Sequence, residues 1–545
     1  MRLICKLPIY KRRYTLETNS RCNLAFVTLV RRKQPQEFSM SSSRYPLLFQ
    51  FNTRVCLQEL AGHLGRPVTL KDIPEELLDL LETNGFNWFW SLGVWTTGAA
   101  AREISRTNPV WREECKKDLP DLEESDICGS PFAVCAYEVH PDFGGRAALA
   151  HLRKRLAQRG IRLMTDFVPN HTAPDHPWVV EHPEYYVNGI ESDLEAEPQN
   201  YVQVVTKHGP RVLAHGRDPY YGGWVDTLQL NYRCKELHDI QRQVLHNIAD
   251  QCDGVRCDMA MLLLPDIIAK TWGNKSVPAD GIAPTEVCFW PEAIQSVRRQ
   301  HADFVFMAEV YWDLEWELQQ QGFDFTYDKR LYDRMLSFDG GAVRDHLMAD
   351  LLFQQRCCRF LENHDEPRAA SMFSRPQYLA AATITYLSPG LRLFHEGQFE
   401  GRKHRVSMHI SRRAAETPDP AIQELYKSLL TCLRSKAFRE GSWSLLECIP
   451  EWEANPTFRQ FVSFSWEHSD ERWLISVNYG PGSAQTFVRL PWADLNGRHW
   501  TLNDQLTQES LVRDGDDLAE HGLYLNVPAW HVHIFLMTES AEQAT

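Results

Sequence analysis

Charged and polar side chains stand at the ends of several short β-rich runs in this sequence. Four such runs end in Asp166-Phe-Val-Pro-Asn170-His171, Gly254-Val-Arg256-Cys-Asp258, Phe306-Met-Ala-Glu309 and Glu362-Asn363-His364-Asp365. Carboxylates in such places can act as nucleophiles or as general acids and bases. Arg256 lies two residues before Asp258, hence on the same strand face, where its charge would keep the carboxylate ionised. An isolated Arg-x-Asp is more often a structural ion pair, but four polar strand ends together favour a catalytic site.

A regular alternation of β-rich runs and amphipathic helical stretches, which begins at Tyr45, would position these residues. Eight candidate strands can be counted, at residues 47–51, 87–92, 161–166, 254–258, 304–309, 323–327, 359–362 and 391–395. Eight strands that alternate with helices over roughly 390 residues predict an α/β fold of the (β/α)8 TIM barrel type. The C-terminal ends of the strands meet at one face of such a barrel, so the polar residues should converge there.

The barrel pattern is interrupted once and is then followed by a different pattern. Residues 172–235, after the third strand, are rich in Pro, Tyr, Gly and His without a clear period, which predicts a loop-rich insertion at the barrel mouth. After residue 440, short alternating strands predict a C-terminal antiparallel β-sandwich. We therefore expect a barrel of residues 40–171 and 236–440, an inserted subdomain of residues 172–235 and a sandwich of residues 441–545. The tryptophans expected in the sandwich core are Trp466, Trp473, Trp492, Trp500 and Trp530.

With these features the sequence resembles the α-amylase family of glycoside hydrolases. Its four polar strand ends match the four short signature regions of that family, in the right order, and the likeness extends over roughly residues 45–540. The long insertion after the third strand and the C-terminal sandwich strengthen the match. The resemblance implies a retaining enzyme that acts on α-glucosidic bonds of glucans, oligosaccharides or small α-glucosides through a covalent glycosyl-enzyme intermediate.

The same resemblance implies a role for each of three carboxylates. Asp258 corresponds to the nucleophile, Glu309 to the general acid/base, and Asp365 to the third carboxylate, which stabilises the transition state and orients the sugar. Retaining hydrolysis uses two carboxyl groups about 5 to 5.5 Å apart. Asp258 must remain ionised, whereas Glu309 must begin protonated near neutral pH, which requires surroundings that raise its pKa. This chemistry requires no cofactor.

Four further positions match substrate-binding residues of the family. His171 and His364 correspond to residues that hydrogen-bond sugar hydroxyls, and Arg256 lies beside the nucleophile. Phe132, in Gly129-Ser-Pro-Phe132, takes the place of a tyrosine that stacks on the sugar in many members. Stacking on the sugar would be preserved there, without the hydroxyl.

Two residues of the first signature region are interpreted as supports rather than as binding residues. In the family, the aspartate that corresponds to Asp166 braces the arginine, and the asparagine that corresponds to Asn170 often binds a structural calcium. The resemblance therefore implies Asn170 as a candidate calcium ligand. The other calcium ligands of the family come from the inserted region, where they cannot be aligned.

Two segments depart from ordinary α-amylases and leave the activity open. Asp258 is followed by Met259-Ala-Met-Leu-Leu-Leu264 in place of a Lys-His pair that commonly grips the chain on the leaving-group side. Glu309 leads into Val310-Tyr311-Trp312, whose rings would wall that side and favour a sugar acceptor over water. An α-glucan or glucosyl transferase with the same mechanism is therefore an alternative. A non-catalytic barrel partner or a glycan-binding protein is a further alternative, which the three retained carboxylates oppose.

Charge and composition argue against other classes of protein. The 545 residues carry a formal net charge of −14, whereas nucleic-acid binding surfaces are basic. No apolar run reaches the about 18 to 20 residues that a membrane span needs. The 14 cysteines are scattered without zinc-ligand spacing, which is typical of reduced thiols and predicts a cytoplasmic protein. The expected partner is a carbohydrate, and the oligomeric state is left open.

Residues 1–39 differ from the rest of the chain, with nine Lys or Arg against two acidic residues. They lack the apolar core and cleavage pattern of a secretory signal. We expect a disordered basic extension or the product of an upstream start codon, with Met40 as the practical beginning. An organelle transit peptide is the alternative.

Overall fold

The computed structural model describes residues 43–278 and 284–540, and within them the eight expected strands close into a parallel barrel. The barrel strands are β1 (Leu47–Asn52), β2 (Trp88–Leu92), β3 (Arg162–Phe167), β4 (Gly254–Cys257), β5 (Val305–Ala308), β6 (Phe325–Tyr327), β7 (Cys357–Arg359) and β8 (Leu391–His395). They follow one another around the barrel in chain order, and β8 closes the ring by pairing with β1. The predicted (β/α)8 fold is confirmed.

Helices fill the connections between the barrel strands. Their bounds are Thr53–Leu64, Glu75–Thr83, Ala99–Thr107, Pro109–Asp118, Gly145–Ala157, Lys235–Ala249, Pro265–Trp272, Phe289–Arg298, Glu315–Gln320, Lys329–Leu336, Gly340–Leu347, Leu351–Gln354, Ala369–Met372, Arg375–Leu387, Pro420–Leu433 and Lys436–Glu440. Local signals set their ends. The first begins after Asn52, whose side chain accepts a hydrogen bond from the Val55 N–H, and ends at Gly65 in the left-handed region.

The barrel strands are buried on both faces, because one face fills the barrel and the other packs against helices. All residues of β1, β2, β4 and β8 are buried. Polar residues in these strands are therefore exceptional, and several lie near the C-terminal ends, among them Gln50 and Arg256. Burial of a polar side chain is costly unless it is hydrogen-bonded, which makes these residues the first to inspect for function.

The insertion after β3 contains more regular structure than its composition predicts. Strands Tyr201–Thr206 and Gly209–Ala214 form a hairpin, which Asn188–Gly189 extends to a three-stranded antiparallel sheet. Two short helices, Pro177–Glu181 and Glu191–Ala196, accompany it. The expectation of a stretch without regular structure was thus wrong for this part. Alternation of side chains in Tyr201-Val-Gln-Val-Val-Thr206 before a turn at Gly209 is the hairpin signal that the polar composition concealed.

Two antiparallel sheets follow the barrel and confirm the predicted C-terminal β-sandwich. The larger sheet contains, in spatial order, Ser442–Leu445, Phe461–His468, Glu471–Asn478, Val532–Glu539, His499–Asp504 and Ser510–Asp514. The smaller contains Cys448–Ile449, Ala484–Val488 and Leu523–Val527, and a helix, Gly515–Glu520, precedes the last of these. The expected core tryptophans are buried, except that Trp530 is half-buried.

Three further sequence-based expectations concern membrane spans, the cysteines and the N-terminal segment. Within residues 43–278 and 284–540, no helix combines the length and apolar character that a membrane crossing requires. The 12 cysteines in the same ranges are unpaired. Residues 1–39, for which a basic extension is expected, lie outside the described residues.

Candidate active site

The polar residues singled out in the sequence meet at the C-terminal end of the barrel. Asp166 of β3 and Arg256 of β4 are partners in the strand register, and Cys257 is paired with Ala308 of β5. Asp258 and Glu309 directly follow those last two residues, so they leave adjacent strands at the same level. Parallel strands in a barrel carry catalytic groups at this end.

Arg256 joins the two central carboxylates. Its guanidinium is fully buried, with Nη1 at 2.5 Å from Asp258 Oδ1 and Nη2 at 2.8 Å from Glu309 Oε2. The carboxylates are themselves only 5% and 3% exposed. Burial lowers the pKa of Arg256, but the charges of Glu309 and Asp258 outweigh it and raise the pKa above its usual value. A permanently charged guanidinium therefore holds Asp258 and Glu309 side by side.

Glu309 has surroundings that favour the protonated acid. Burial raises its pKa to about 8, the negative charges of Asp258 and Asp365 act in the same direction, and Arg256 opposes them. The Met259 N–H donates to Oε2 at 2.7 Å, and the Tyr311 hydroxyl donates to Oε1 at 2.8 Å. Both oxygens are thus held in place, and the raised pKa favours the protonated form, as suits a general acid.

The Met259 N–H reaches Glu309 because of an uncommon backbone conformation. Met259 has φ 43° and ψ 44°, in the left-handed region, which costs a non-glycine residue about 1 to 2 kcal/mol. The turn also directs the next amide, Ala260 N–H, to the Glu309 carbonyl at 3.0 Å. The strained residue directly after Asp258 therefore links the C-terminal ends of β4 and β5.

His364 lies on the opposite side of Arg256 and is held by a residue that the motifs did not indicate. Gln50 of β1 hydrogen-bonds His364 Nδ1 at 2.6 Å, which turns Nε2 toward Asp365 Oδ2 at 3.1 Å. Burial lowers the pKa of His364 to about 4, so the imidazole is neutral. Gln50 could have been found as the polar residue in the apolar run Leu47-Leu-Phe-Gln-Phe51.

Phe132 and His171 complete the wall around the carboxylates. The Phe132 ring is 5.5 Å from the His364 ring and 5.2 Å from the Arg256 guanidinium carbon. His171 is buried, its pKa is lowered by that burial, and the ring of Trp224 from the insertion packs edge-on against it at 5.3 Å. Phe132 thus lies beside two residues singled out in the sequence, and its role in stacking on a sugar stays a prediction.

Asp166 supports Arg256 by a different route from the one expected. Its carboxylate accepts hydrogen bonds from the Trp90 indole at 3.0 Å and the Gly93 N–H at 2.7 Å. The Trp90 ring in turn lies 5.5 Å from the Arg256 guanidinium carbon, and Asp166 and Arg256 form no direct ion pair in the described structure. Burial raises the pKa of Asp166 to about 6, with Arg256 opposing through its charge. The brace therefore passes through Trp90.

Asn170 does not fit the expected calcium. Its side-chain oxygen accepts from Gln229 Nε2 at 2.9 Å, and the same nitrogen donates to the Asn170 carbonyl and the Leu230 carbonyl, each at 3.0 Å. The neutral amide nitrogen of Gln229 thus lies among three oxygens, which are the ligand type that calcium prefers. Asn170 Nδ2 also donates to Gln229 Oε1 at 3.1 Å. The residues around Asn170 are satisfied by Gln229.

Two aromatic residues closely follow Glu309 in the chain, and one of them contacts the insertion. Trp312 and Asp313 both have left-handed backbone, with φ 66° and 64°. The Trp312 ring packs edge-on against Tyr220 of the insertion at 5.0 Å, and Tyr220 is 56% exposed. Tyr311 instead turns inward to Glu309, whereas Trp312 contacts Tyr220; an aromatic wall on the leaving-group side stays a prediction.

Comparison with known proteins agrees with this arrangement. Residues 135–424, more than half of the chain, match the family model for the α-amylase catalytic domain. The chain belongs to the α-amylase family. This α-amylase-family chain is 24% identical over 370 residues to α-amylase MalA of Haloarcula japonica, a match that covers 65% of the chain and 48% of the relative.

Two more relatives illustrate the range of the family. An α-1,4-glucan:maltose-1-phosphate maltosyltransferase of Cereibacter sphaeroides is 24% identical over 216 residues, 38% of this chain and 25% of that protein. The α-amylase-family chain spans about half or less of the length of these curated relatives. The maltogenic α-amylase AmyB of Thermotoga neapolitana shares the fold, with a TM-score of 0.63, 17% identity and coverage of 90% of this chain and 98% of that one.

Proposed function

We propose that this protein cleaves α-glucosidic bonds of glucans, oligosaccharides or small α-glucosides with retention of anomeric configuration. The observation that carries the proposal is the Arg256 guanidinium, which contacts Asp258 and Glu309 at once. Two carboxylates that share one guanidinium are close neighbours, as suits the about 5 Å spacing of a retaining pair. The wider spacing of an inverting pair, which accommodates a water molecule between substrate and base, does not suit a shared guanidinium.

In the first step, Asp258 attacks the anomeric carbon while Glu309 donates its proton to the leaving oxygen. Arg256 Nη1 holds Asp258 Oδ1 at 2.5 Å, and burial raises the pKa of Glu309, which favours its protonated form. The sugar that becomes attached to Asp258 is bound through its hydroxyls by His171, His364 and Asp365. Preorganised polar groups in a buried site stabilise the developing charge without reorganising.

In the second step, Glu309 acts as the base and an acceptor hydroxyl attacks the covalent intermediate on Asp258. The acceptor is water in hydrolysis and a sugar in transfer. Trp312 and Tyr220 offer aromatic surface on the acceptor side, which supports transfer to a sugar as the second candidate outcome. Both reactions use the same residues.

The test follows two variants and the anomer that is first released. Purified protein is incubated with maltooligosaccharides and with α-glucosyl fluoride, and products are monitored by proton NMR. We expect the α-anomer first, and a loss of activity of at least about 10³-fold in Asp258→Asn. In kcat/KM, which reports the first step, Glu309→Gln should lose about 10² to 10⁴-fold on maltooligosaccharides but far less on the fluoride, whose departure needs no proton from Glu309.

The matched control is Glu292→Gln, because Glu292 lies on an exposed helix surface and pairs with Arg242 at 3.0 Å. That variant should retain parent activity on both substrates. Initial release of the β-anomer, or full activity in Asp258→Asn, would contradict the proposal. Adding glucose or maltose as acceptor separates transfer from hydrolysis by the appearance of longer products.

A further inference from the structure

The loop after β7 that carries Asp365 is tied together at its two ends by one buried carboxylate. Glu362 Oε2 accepts a hydrogen bond from the Ala369 N–H at 2.7 Å, and Glu362 Oε1 accepts one from Arg368 Nη1 at 2.8 Å. The side chains of Glu362 and Arg368 are each only 1% exposed. Glu362 therefore closes residues 362–369, which we call the β7 loop, with Asp365 near its middle.

The Asp365 carboxylate has less side-chain support than the two central carboxylates. Asp258 and Glu309 both contact the Arg256 guanidinium. Among the described residues, the Asp365 carboxylate is instead paired with a single basic nitrogen, His364 Nε2, at 3.1 Å, and its side chain is 37% exposed. The backbone of the β7 loop therefore largely determines where the Asp365 carboxylate lies.

Hydrogen bonds inside the β7 loop connect its closed end to Asp365. The Asn363 side-chain oxygen accepts from the Asp365 N–H and from the Glu366 N–H, each at 2.9 Å. On the other side of the same residue, the Arg405 guanidinium donates to the Asp365 carbonyl at 3.0 Å. Because Asn363 directly follows Glu362, a displacement of Glu362 would also move the side chain that holds the Asp365 backbone.

The pair that closes the loop is anchored to the end of β8. Arg368 Nη1 also donates to the Glu396 carbonyl at 2.7 Å, and Arg368 Nη2 lies 3.6 Å from the Glu396 carboxylate. That carboxylate is paired in turn with Arg413 Nη1 at 2.5 Å. Removal of one partner from a buried ion pair leaves the other charge uncompensated. A change at Glu362 should therefore disturb both the loop and its attachment to β8.

We propose that Glu362 is a positioning residue for Asp365: together with Arg368 it holds the β7 loop closed and so sets the place at which Asp365 meets the sugar. This inference rests on the proposed function, in which Asp365 binds the sugar that becomes attached to Asp258. Glu362 is too deeply buried to contact that sugar itself. Misplacement of a catalytic group by about 1 Å can cost about 10²-fold in rate, so the loop closure should be visible in kcat.

The first test replaces Glu362 with glutamine, which keeps the shape of the side chain and removes its charge. We expect kcat of Glu362→Gln to fall at least about 10-fold, by similar factors on maltooligosaccharides and on α-glucosyl fluoride, because Asp365 acts on the sugar that both substrates share. Rates are measured well below the melting temperature of the variant, so that folded enzymes are compared. Parent rates in folded Glu362→Gln would overturn the inference. If that variant does not fold, Arg368→Lys should show the same pattern, since one ammonium group cannot replace the forked guanidinium.

The matched control is Asp324→Asn, which removes a similar pair at the opposite end of the barrel. Asp324 Oδ2 accepts from Arg298 Nη2 at 2.6 Å and from the Phe306 N–H at 2.8 Å, and Asp324 directly precedes β6. This variant should lower the melting temperature and leave kcat unchanged on both substrates. An equal fall of kcat in both variants would mean that Glu362→Gln acts through a general loss of stability, against the proposal.

A double variant identifies the residue through which Glu362 acts. In the Asp365→Asn background, Glu362→Gln should have little further effect on turnover of the fluoride, because the group that it positions is already lost. A further loss as large as the one in the parent would refute a role through Asp365. No turnover of any substrate by the parent defeats the proposed function, whereas parent turnover with an unaffected Glu362→Gln defeats only this inference.

Discussion

At the scale of single residues, two carboxylates of similar burial have different surroundings, and these separate their roles. Asp258 accepts a hydrogen bond from an Arg256 nitrogen at 2.5 Å. For Glu309, burial is the main cause of the raised pKa. The neighbouring His364 is neutral because burial lowers its pKa. The raised pKa of Glu309 and the neutral His364 suit the acid and sugar-binding roles proposed for them.

The pH dependence of activity follows from the Glu309 pKa of about 8. The value of kcat/KM on maltooligosaccharides should fall as pH rises through about 8, because the free enzyme then loses the proton that the leaving oxygen needs. Steady-state kinetics between pH 6 and 10 measure this limb. A flat profile over that range would contradict the assignment of Glu309 as the acid.

The same pKa predicts a stability effect. The folded pKa lies above the unfolded value, so the contribution of Glu309 to stability is present at low pH and is lost as pH rises through about 8. The difference in melting temperature between Glu309→Gln and the parent should therefore shift in favour of the variant as pH is raised from 6 to 9. Glu292→Gln, on an exposed surface, provides the control and should show no such gain.

At the scale of elements, the insertion is attached to the end of β3 by a two-residue strand pair. Leu228–Gln229 pairs with His171–Thr172, and this places Gln229 against Asn170 and Trp224 against His171. The insertion thereby contributes to the site through residues that are about sixty positions away in the chain. The spacing of motifs in the sequence does not reveal which such residues are in contact.

The Gln229 arrangement predicts that the fold is independent of calcium. Addition of EDTA should leave the melting temperature of the parent unchanged, because Gln229 Nε2 already donates to the Asn170 and Leu230 oxygens. Gln229→Ala should cost about 1 to 3 kcal/mol or more, since buried acceptors lose their donor. The exposed Gln203→Ala should cost little.

A carboxylate at this position provides the opposite test. In Gln229→Glu, the added charge among oxygens should lower stability in EDTA and restore it with calcium chloride, measured as a calcium-dependent rise in melting temperature. A parent enzyme that loses its structure in EDTA would show that calcium binds after all.

At the scale of the whole molecule, the sandwich is attached to the barrel through buried tryptophans. The Trp466 indole donates to the Leu387 carbonyl at 2.7 Å, at the end of helix Arg375–Leu387. Trp473, its partner on the next strand, is equally buried, but its indole nitrogen has no hydrogen-bond partner among the described residues. Both rings pack against Phe438.

This difference makes the two tryptophans a matched pair for mutation. Trp466→Phe should destabilise the protein by about 1 to 3 kcal/mol more than Trp473→Phe, because only the first leaves a buried carbonyl unsatisfied. Urea unfolding of both variants measures the difference. Equal midpoints would show that the Leu387 contact contributes nothing to the attachment of the sandwich.

Local sequence patterns were sufficient to predict much of this molecule. The eight barrel strands could be counted because each is a short apolar run. The carboxylates could be named because Asp258 and Glu309 directly follow such runs and Asp365 lies shortly after another. The hairpin Tyr201–Ala214 was missed because its two short strands lie within a segment rich in Pro, Tyr, Gly and His. Gln50 and Tyr220 were missed because their significance depends on partners hundreds or tens of residues away.

The sequence by itself determined the barrel, the sandwich and the identity of Asp258, Glu309 and Asp365 as candidates, since strand periodicity and strand-end motifs are local properties. Only the tertiary structure decided what those residues contact. The shared Arg256 guanidinium, the Gln229 donor at Asn170 and the backbone hydrogen bonds between residues 126–129 and 409–411 join segments that are distant in the chain. Their geometry arises from barrel closure, which brings strand ends together irrespective of their separation in sequence.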